Sequence, residues 1–449
     1  MARPPQLFAG LFAVVWTCTV TAFHCPPVRF RENAVPVELA DGRVFIPVYR
    51  HQPKKSKSVK TVVIGLHGAG RNGDNYFQWI TGAMQNAGLQ DDVAVLVPVF
   101  ADYECTAASW TGKTKYTGDA VKWSHSTRQW VFGQKSDRQG DWHGISSYQV
   151  IDDVLRYAEM RYRRLSKIIV TGFSAGAQMG LRWSIFSPQG LSGTSITGVP
   201  MTIILGSPSS VTYLTPARPA VSCRGPDVTV DDNCTDFVEP DEAHYKTCHD
   251  HWDDYPFGIE GIGDGDMPPG SIRADVTEYL RQYIKHDSLL QQTLIERFAS
   301  KDIVFQFGDT DTKKCGHGTC ANDCAAMLEG NNRLQRGINY MWHLKWVLPG
   351  YEPTFSTFHG GHRPELFFAG EYFNKFAFNT DGWNECLWDS LSCFSLLVKA
   401  LIAGSVVVAV LPAVCVYVMM HRHINNHYVR KTPQHDLEQS KPILGGRSS

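Results

Sequence analysis

The chain has 449 residues, of which 43% are apolar, 12% aromatic and 19% charged, a composition that buries a large core and excludes disorder for most of the length. Lys plus Arg number 43 against 44 Asp plus Glu, giving a net charge of −1 and a pI near 7.0; nothing here gathers phosphate at long range, so nucleic acid is not expected as a partner. The 12 cysteines point away from a reducing compartment.

In chain order, Met1-Ala2-Arg3, an apolar stretch from Leu7 to Val20 and a small residue at Ala22 form the pattern of a signal peptide over residues 1–22. Cleavage there leaves Phe23 as the first mature residue. From about 41 to 378 strand-like and helix-like segments alternate. The runs 43–49, 61–66, 94–98, 167–172, 201–205, 303–307 and 354–358 are short and nearly continuous in apolar or β-branched residues, as strands covered on both faces are. Ile151, Val154, Leu155 and Ala158 recur at helical spacing, and Ser146-x-x-Gln149 ahead of them predicts a capping box. The alternation predicts an α/β fold, a mostly parallel sheet with helices on both faces. Two excursions, 101–144 and 207 to about 270, are rich in Trp, Tyr, Asp, Gly, Pro and Cys; they read either as loops that cover a pocket or as surface ornament.

The segment 167–170 runs into Gly172-Phe173-Ser174-Ala175-Gly176 and a helical stretch, which is G-x-S-x-G in a strand–turn–helix setting. A nucleophile on such a turn needs glycine on either side because backbone and helix approach closely, and the helix N-terminus favours negative charge beside it. Upstream, 61–66 ends in His67-Gly68-Ala69-Gly70, where the second half of an oxyanion hole belongs. The backbone N–H groups of Ala69 and Ala175 are the expected donors, and His67 is read as structural. A serine needs a base and the base an orienting carboxylate. After Ser174 in the chain, 303–307 ends in Gly308-Asp309-Thr310-Asp311 and 354–358 ends in His359-Gly360-Gly361-His362, so acid and base follow in the order Ser, acid, His.

These motifs resemble those of the α/β-hydrolase superfamily, and the HGAG and GFSAG segments are similar to those of polyester depolymerases and feruloyl esterases. The segments ISSYQVIDDVL, GSPSSVTYL, WDDYPFGIE, GDTDT and CAAMLEGNNRLQRG resemble a narrower group of secreted microbial and protist hydrolases, over roughly residues 62–368. The resemblance implies an α/β-hydrolase fold with loop or lid insertions, ester hydrolysis through an acyl-enzyme, and no cofactor. It also selects Asp311, because G-x-x-D after the penultimate strand is the layout of that fold, leaving Asp309 to bond its own turn. His362 is preferred to His359 because Gly360-Gly361 lets the chain turn it toward Ser174. Peptidases and thioesterases share the machinery, and a catalytically idle adhesion or receptor protein on the same scaffold is the alternative from another class.

Other clusters have plainer readings. Cys315, His317, Cys320 and Cys324 have metal-ligand spacing, but an oxidising compartment favours disulfides, at least one of which must reach outside the three cysteines. His249 and His251 beside Asp250 and Asp253 are read as surface or packing residues, so no metal site is expected. Asn233-Cys234-Thr235 matches the glycosylation acceptor pattern. Without Cys18 and Cys415, ten cysteines allow up to five bridges. Past a connector at 381–393, residues 400–420 are apolar over about 20 positions, enough for one membrane-crossing helix. His421, Arg422, His423, Arg430 and Lys431 follow it, which predicts a cytosolic tail over 421–449 and an exoplasmic hydrolase domain over 23–392. Sequence does not identify partners of that tail.

This topology has a direct check. Protease added to intact microsomes is expected to remove a C-terminal epitope tag and spare the large domain; loss of the domain with survival of the tag reverses the orientation.

Overall fold

A computed structural model describes residues 34–36, 44–54, 56–101, 121–123, 129–137, 144–225, 234–240, 248, 251–264, 267–284, 289–316 and 320–380, all within the first of the two compact units into which the chain divides. The expected signal peptide at 1–22, the apolar run at 400–420 and the tail at 421–449 lie outside the described residues. Among the described residues, no helix is long and apolar enough to cross a membrane.

All seven expected strands form, with ends displaced by at most two residues. They are β2 (Phe45–His51), β3 (Thr61–Leu66), β4 (Val93–Pro98), β5 (Lys167–Phe173), β6 (Met201–Gly206), β9 (Ile303–Gly308) and β10 (Thr354–Phe358). With the short β1 (Ala34–Pro36) they make an eight-stranded sheet in the order β1-β2-β4-β3-β5-β6-β9-β10. The pairs β1–β2 and β2–β4 are antiparallel and every other pair is parallel. This strand order, with a serine turn after β5 and acid and histidine turns after β9 and β10, is the α/β-hydrolase fold. A separate two-stranded ribbon joins β7 (Arg218–Pro219) to β8 (Phe237–Val238).

The central strands of the sheet are buried on both faces, which is why they read as continuous apolar runs. Ile64, Leu66, Ile168, Val170, Ile203, Leu205 and Phe305 point into one core, with α2 (Ser147–Arg161) and α3 (Ala175–Phe186) over them. Val63, Val95, Ile169, Ile204 and Val304 point into the other, covered by α1 (Gly73–Asn86) and by α8 (Pro364–Ala369) and α9 (Glu371–Phe378) near the C-terminal edge. The remaining described helices are α4 (Ile272–Arg281), α5 (Leu290–Ala299), α6 (Cys324–Glu329) and α7 (Arg333–Val347). At the start of β5, Lys167 Nζ donates to the Phe376 carbonyl at 2.6 Å and to Asn379 Oδ1 at 3.1 Å, fastening the end of α9 there.

Ser146 caps α2, accepting from the Tyr148 N–H at 3.2 Å, but the expected box is only half made. Gln149 donates from Nε2 to Asp153 Oδ1 at 3.2 Å, and its Oε1, the atom a box would return to the cap N–H, accepts the Tyr283 hydroxyl at 3.4 Å. The described parts of the two excursions contribute side chains to the core. Trp123 and Trp130 are fully buried, and Trp130 stacks on Phe100 with ring centres 5.3 Å apart. In the second excursion Tyr213 and Leu214 are buried, and Arg218 pairs with Asp253 at 2.8 Å with both side chains shielded from solvent.

Three disulfides join Cys223 to Cys234, Cys248 to Cys324 and Cys315 to Cys320. The cysteine cluster is therefore bridged, with Cys324 reaching outside it to Cys248; Cys25, Cys105, Cys386, Cys393, His317 and Asn233 lie outside the described residues. The Cys248–Cys324 bond closes a separation of 76 residues, a loop for which the chain-entropy model gives about 4 kcal/mol. Reductant is therefore expected to lower the unfolding midpoint of the purified full-length chain well beyond any effect of a chelator. Stoichiometric zinc together with free thiols at Cys315, Cys320 and Cys324 would contradict it.

Candidate active site

The turn after β5 is set by steric exclusion. A side chain at Gly172 would begin 2.5 Å from the Gly176 carbonyl carbon, and one at Gly176 would begin 2.0 Å from the Leu66 carbonyl oxygen and 2.7 Å from that of His67. Only glycine at both positions lets α3 start where it does. Ser174 itself takes φ 59°, ψ −119°, an unusual conformation for a residue with a side chain, and its N–H is tied to the Gly206 carbonyl at 2.8 Å. The strain lifts Oγ to the end of the strand, directly ahead of the first amides of α3.

The turns after β9 and β10 lie side by side. Asp309 N–H donates to the Phe358 carbonyl at 3.0 Å, Thr310 N–H to the Gly360 carbonyl at 3.1 Å, and Asp311 N–H folds back to Gly308 at 3.0 Å. A side chain at Gly308 would begin 2.3 Å from the Gly360 carbonyl oxygen, so the two turns are in backbone contact. Gly360, at φ 143°, supplies the reversal that carries His362 back over the sheet edge.

These turns bring Ser174, His362 and Asp311 together. His362 Nδ1 lies 2.8 Å from Asp311 Oδ2 and its Nε2 lies 2.9 Å from Ser174 Oγ. A carboxylate only accepts, so Nδ1 carries the hydrogen and Nε2 is left to accept from the serine hydroxyl. Asp311 is 2% exposed and Ser174 8% exposed, while the imidazole is half-buried with the Phe173 ring 4.8 Å away. A hydroxyl so placed can pass its proton to the imidazole while the buried carboxylate holds the ring.

The neighbouring pair is separate from this chain. His359 Nδ1 bonds Asp309 Oδ2 at 3.0 Å, and the same carboxylate accepts the Gly360 N–H at 2.9 Å. The Asp309 side chain thus spans to the next turn rather than bonding its own backbone, because parallel β9 and β10 end level with each other. His359 is exposed.

His67 is a structural residue, as expected. Its Nδ1–H donates to the Gly68 carbonyl at 3.0 Å and its Nε2 accepts the Phe100 N–H at 3.0 Å. Burial holds its pKa down at about 3, so the ring stays neutral. Ala69 follows this pinned turn, and Ala175 is the first residue of α3, where a backbone N–H has no acceptor within the helix. The contact of Gly176 with Leu66 and His67 brings the two segments that carry these amides together.

Two residues at the site carry no motif. Arg333, the first residue of α7, sets Nη1 3.4 Å from Asp311 Oδ1, with both side chains buried, and the Leu334 N–H bonds the Asp311 carbonyl at 3.3 Å. Tyr76, on α1, donates from Oη to the Phe173 carbonyl at 3.1 Å. Arg333 lies in a segment that stood out only by resemblance, and nothing in the spacing around Tyr76 marks it. Of the doubtful metal candidates, Asp253 is taken by Arg218 at 2.8 Å and His251 by Asp254 at 2.9 Å; His249 and Asp250 lie outside the described residues.

No family model matches the chain, and no curated protein matches it. Among solved structures, it is similar to a poly(3-hydroxybutyrate) depolymerase from Bordetella parapertussis at 15% identity and a TM-score of 0.46, covering 80% of this chain and 94% of that one. A poly(aspartic acid) hydrolase from Sphingomonas sp. KT-1 is similar at 16% identity and a TM-score of 0.44, covering 74% and 93%. Est1E from Butyrivibrio proteoclasticus, solved with ferulic acid bound, is similar at 14% identity and a TM-score of 0.35, covering 77% of this chain and 100% of its own. The fold assignment above rests on strand order and on the three turns, not on these likenesses.

The Arg333–Asp311 pair has a measurable consequence. Arg333→Gln leaves a carboxylate that is 2% exposed without its cation and is expected to lower stability by about 3 kcal/mol, with Arg333→Lys losing less. Denaturant unfolding of the full-length variants reads this, and a loss near zero for Arg333→Gln would show that the pair does not hold the acid in place.

Proposed function

We propose that the protein is a membrane-anchored serine hydrolase that cleaves carboxylic esters on the exoplasmic side. The observation that supports this most is the unbroken run Asp311–His362–Ser174, at 2.8 and 2.9 Å, with the serine on a strained turn at a helix N-terminus. In this reading Ser174 Oγ attacks the ester carbonyl while His362 Nε2 takes its proton and passes it to the departing alcohol. Asp311 keeps the Nδ1–H in place and stabilises the imidazolium. The amides of Ala69 and Ala175 receive the developing oxyanion, a donor of this kind contributing about 3 kcal/mol to the transition state. Water activated by the same histidine then releases the acid from the acyl-enzyme.

The ester class rests on the HGAG and GFSAG segments and their resemblance to depolymerases and feruloyl esterases; peptidases and thioesterases use the same machinery. An idle scaffold is the weaker reading, since such a scaffold has no need to keep three turns aligned on one serine. The substrate is a small or polymeric ester, and no cofactor enters the mechanism. The anchor and the exoplasmic placement rest on the signal pattern at 1–22, the apolar run at 400–420 and its basic C-terminal flank, which together make a single-pass protein of the secretory pathway or cell surface.

Five variants of the full-length chain test the assignment on a simple aryl ester. Ser174→Ala and His362→Ala should each lower kcat by about four orders of magnitude or more, and together hardly further, because the residues act as a unit. Asp311→Asn should be severe but milder. Asp309→Asn and His359→Gln should keep most of the activity. An active Ser174→Ala would end the hydrolase reading, and an active His362→Ala beside a crippled His359→Gln would reassign the base.

A further inference from the structure

Tyr76 is 2% exposed, and its ring is wedged between Trp79 and Phe368, with ring centres 5.3 and 5.6 Å away. Its hydroxyl donates to the Phe173 carbonyl at 3.1 Å and lies against Gly68, where a side chain would begin 2.7 Å from it. One atom therefore touches both the turn that carries Ala69 and the turn that carries Ser174 and Ala175.

Peptide planarity gives that bond its reach. The Phe173 carbonyl belongs to the same rigid unit as the Ser174 N–H, which is tied on its other edge to the Gly206 carbonyl at 2.8 Å. The next unit, Ser174 carbonyl with Ala175 N–H, is held by the Gln178 N–H at 3.0 Å. On the other turn, the Tyr76 hydroxyl packs against Gly68. The following unit, Gly68 carbonyl with Ala69 N–H, is gripped by His67 Nδ1–H and by the Arg71 N–H, each at 3.0 Å. The peptides on either side of Ser174 and the Gly68–Ala69 peptide are thus fixed in orientation within their own turns. The Tyr76 hydroxyl meets both turns.

We propose that Tyr76 is a positioning residue for the oxyanion hole, its hydroxyl setting the separation and relative aim of the Ala69 and Ala175 amides. The proposal rests on the serine-hydrolase reading and deepens it. Burial raises the phenol pKa well above its ordinary value, so the group stays a neutral donor at any working pH and no charge is set beside the oxyanion. The fit is tight as well as bonded: a side chain at Gly68 would begin 2.7 Å from Tyr76 Oη. Small errors in donor placement are costly because an oxyanion hole works by preorganisation.

Tyr76→Phe in the full-length chain keeps the ring and removes only the hydroxyl, and Gly68→Ala displaces the hydroxyl without altering Tyr76. On an aryl ester, each should lower kcat by about 10- to 100-fold with KM within about twofold. Affinity for an arylboronic acid, a tetrahedral mimic, should fall in step with kcat, which a merely structural loss would not produce once the folded fraction is measured. Unchanged kcat and boronate affinity in folded Tyr76→Phe would overturn the proposal, as would losses in both variants that only track the folded fraction. Amide exchange reads the same link without turnover. Exchange should quicken together in the peptides covering 67–70 and 173–176 of Tyr76→Phe, and an unchanged or one-sided response also overturns it. If wild type hydrolyses no ester while the coupled exchange is present, the hydrolase reading fails and the link between the turns stands.

Discussion

The Leu66 carbonyl oxygen lies 2.0 Å from where a side chain at Gly176 would begin, and this approach of two backbones governs the architecture around Ser174. With no side chain at 172 or 176, α3 can start against the end of β3, and the turn between β5 and α3 is forced through a conformation that leaves the serine hydroxyl outermost. The same approach places the first amides of α3 beside the HGAG turn, so nucleophile and expected donors arise from one steric condition. Each strand of the surrounding sheet then needs only to end level with its neighbours. The bonds between the β9 and β10 turns do that for the acid and the histidine.

Behind this edge lies a buried polar layer built from segments far apart in the chain. The Ser210 hydroxyl and Gln178 are bonded at 2.9 Å, and Arg182 reaches Ser210 at 3.0 Å. Arg336 bonds the Ser209 carbonyl, and Glu329 accepts the Val211 N–H at 3.0 Å. Thr212 donates to the Pro256 carbonyl at 2.7 Å and Tyr340 to the Thr212 carbonyl at 3.1 Å. The stretches GSPSSVTYL, WDDYPFGIE and CAAMLEGNNRLQRG, which resemble a narrow group of hydrolases, are therefore packing partners of one another. Their shared role here is to hold α3 and the Asp311 turn from behind. Burial lifts the Glu329 pKa to about 7 against the pull of Arg336.

Sequence carried the strands of this fold well because both faces of the sheet are apolar, so each central strand is a run that no exposed segment imitates. It carried the shortest strands poorly. β1 has three residues and β7 and β8 two each, too short to establish any period. Chain order and glycine spacing led to Ser174, Asp311 and His362, since each sits in a turn whose composition is dictated by backbone crowding. Choosing between Asp309 and Asp311 required the family layout, because two aspartates one residue apart have equal local signals. Arg333 and Tyr76 were out of reach: each meets its partner across a long loop of chain, and an arginine at a helix start or a tyrosine in an amphipathic helix is locally unexceptional. Gln149 shows the reverse failure, a local signal overridden by a tertiary donor, the Tyr283 hydroxyl, at its side-chain oxygen.

The fastening of Asn379 and Phe376 to Lys167 fixes where the described chain leaves the sheet. Lys167 opens β5 and Ser174 follows its last residue, so about 20 Å of strand separates the two. A fusion partner or solid support joined directly after residue 380, in place of the residues that follow, is attached at the strand end opposite Ser174. Captured through that point, the domain turns the edge that carries Ser174 away from its support, leaving the approach of a bulky molecule to that edge unobstructed.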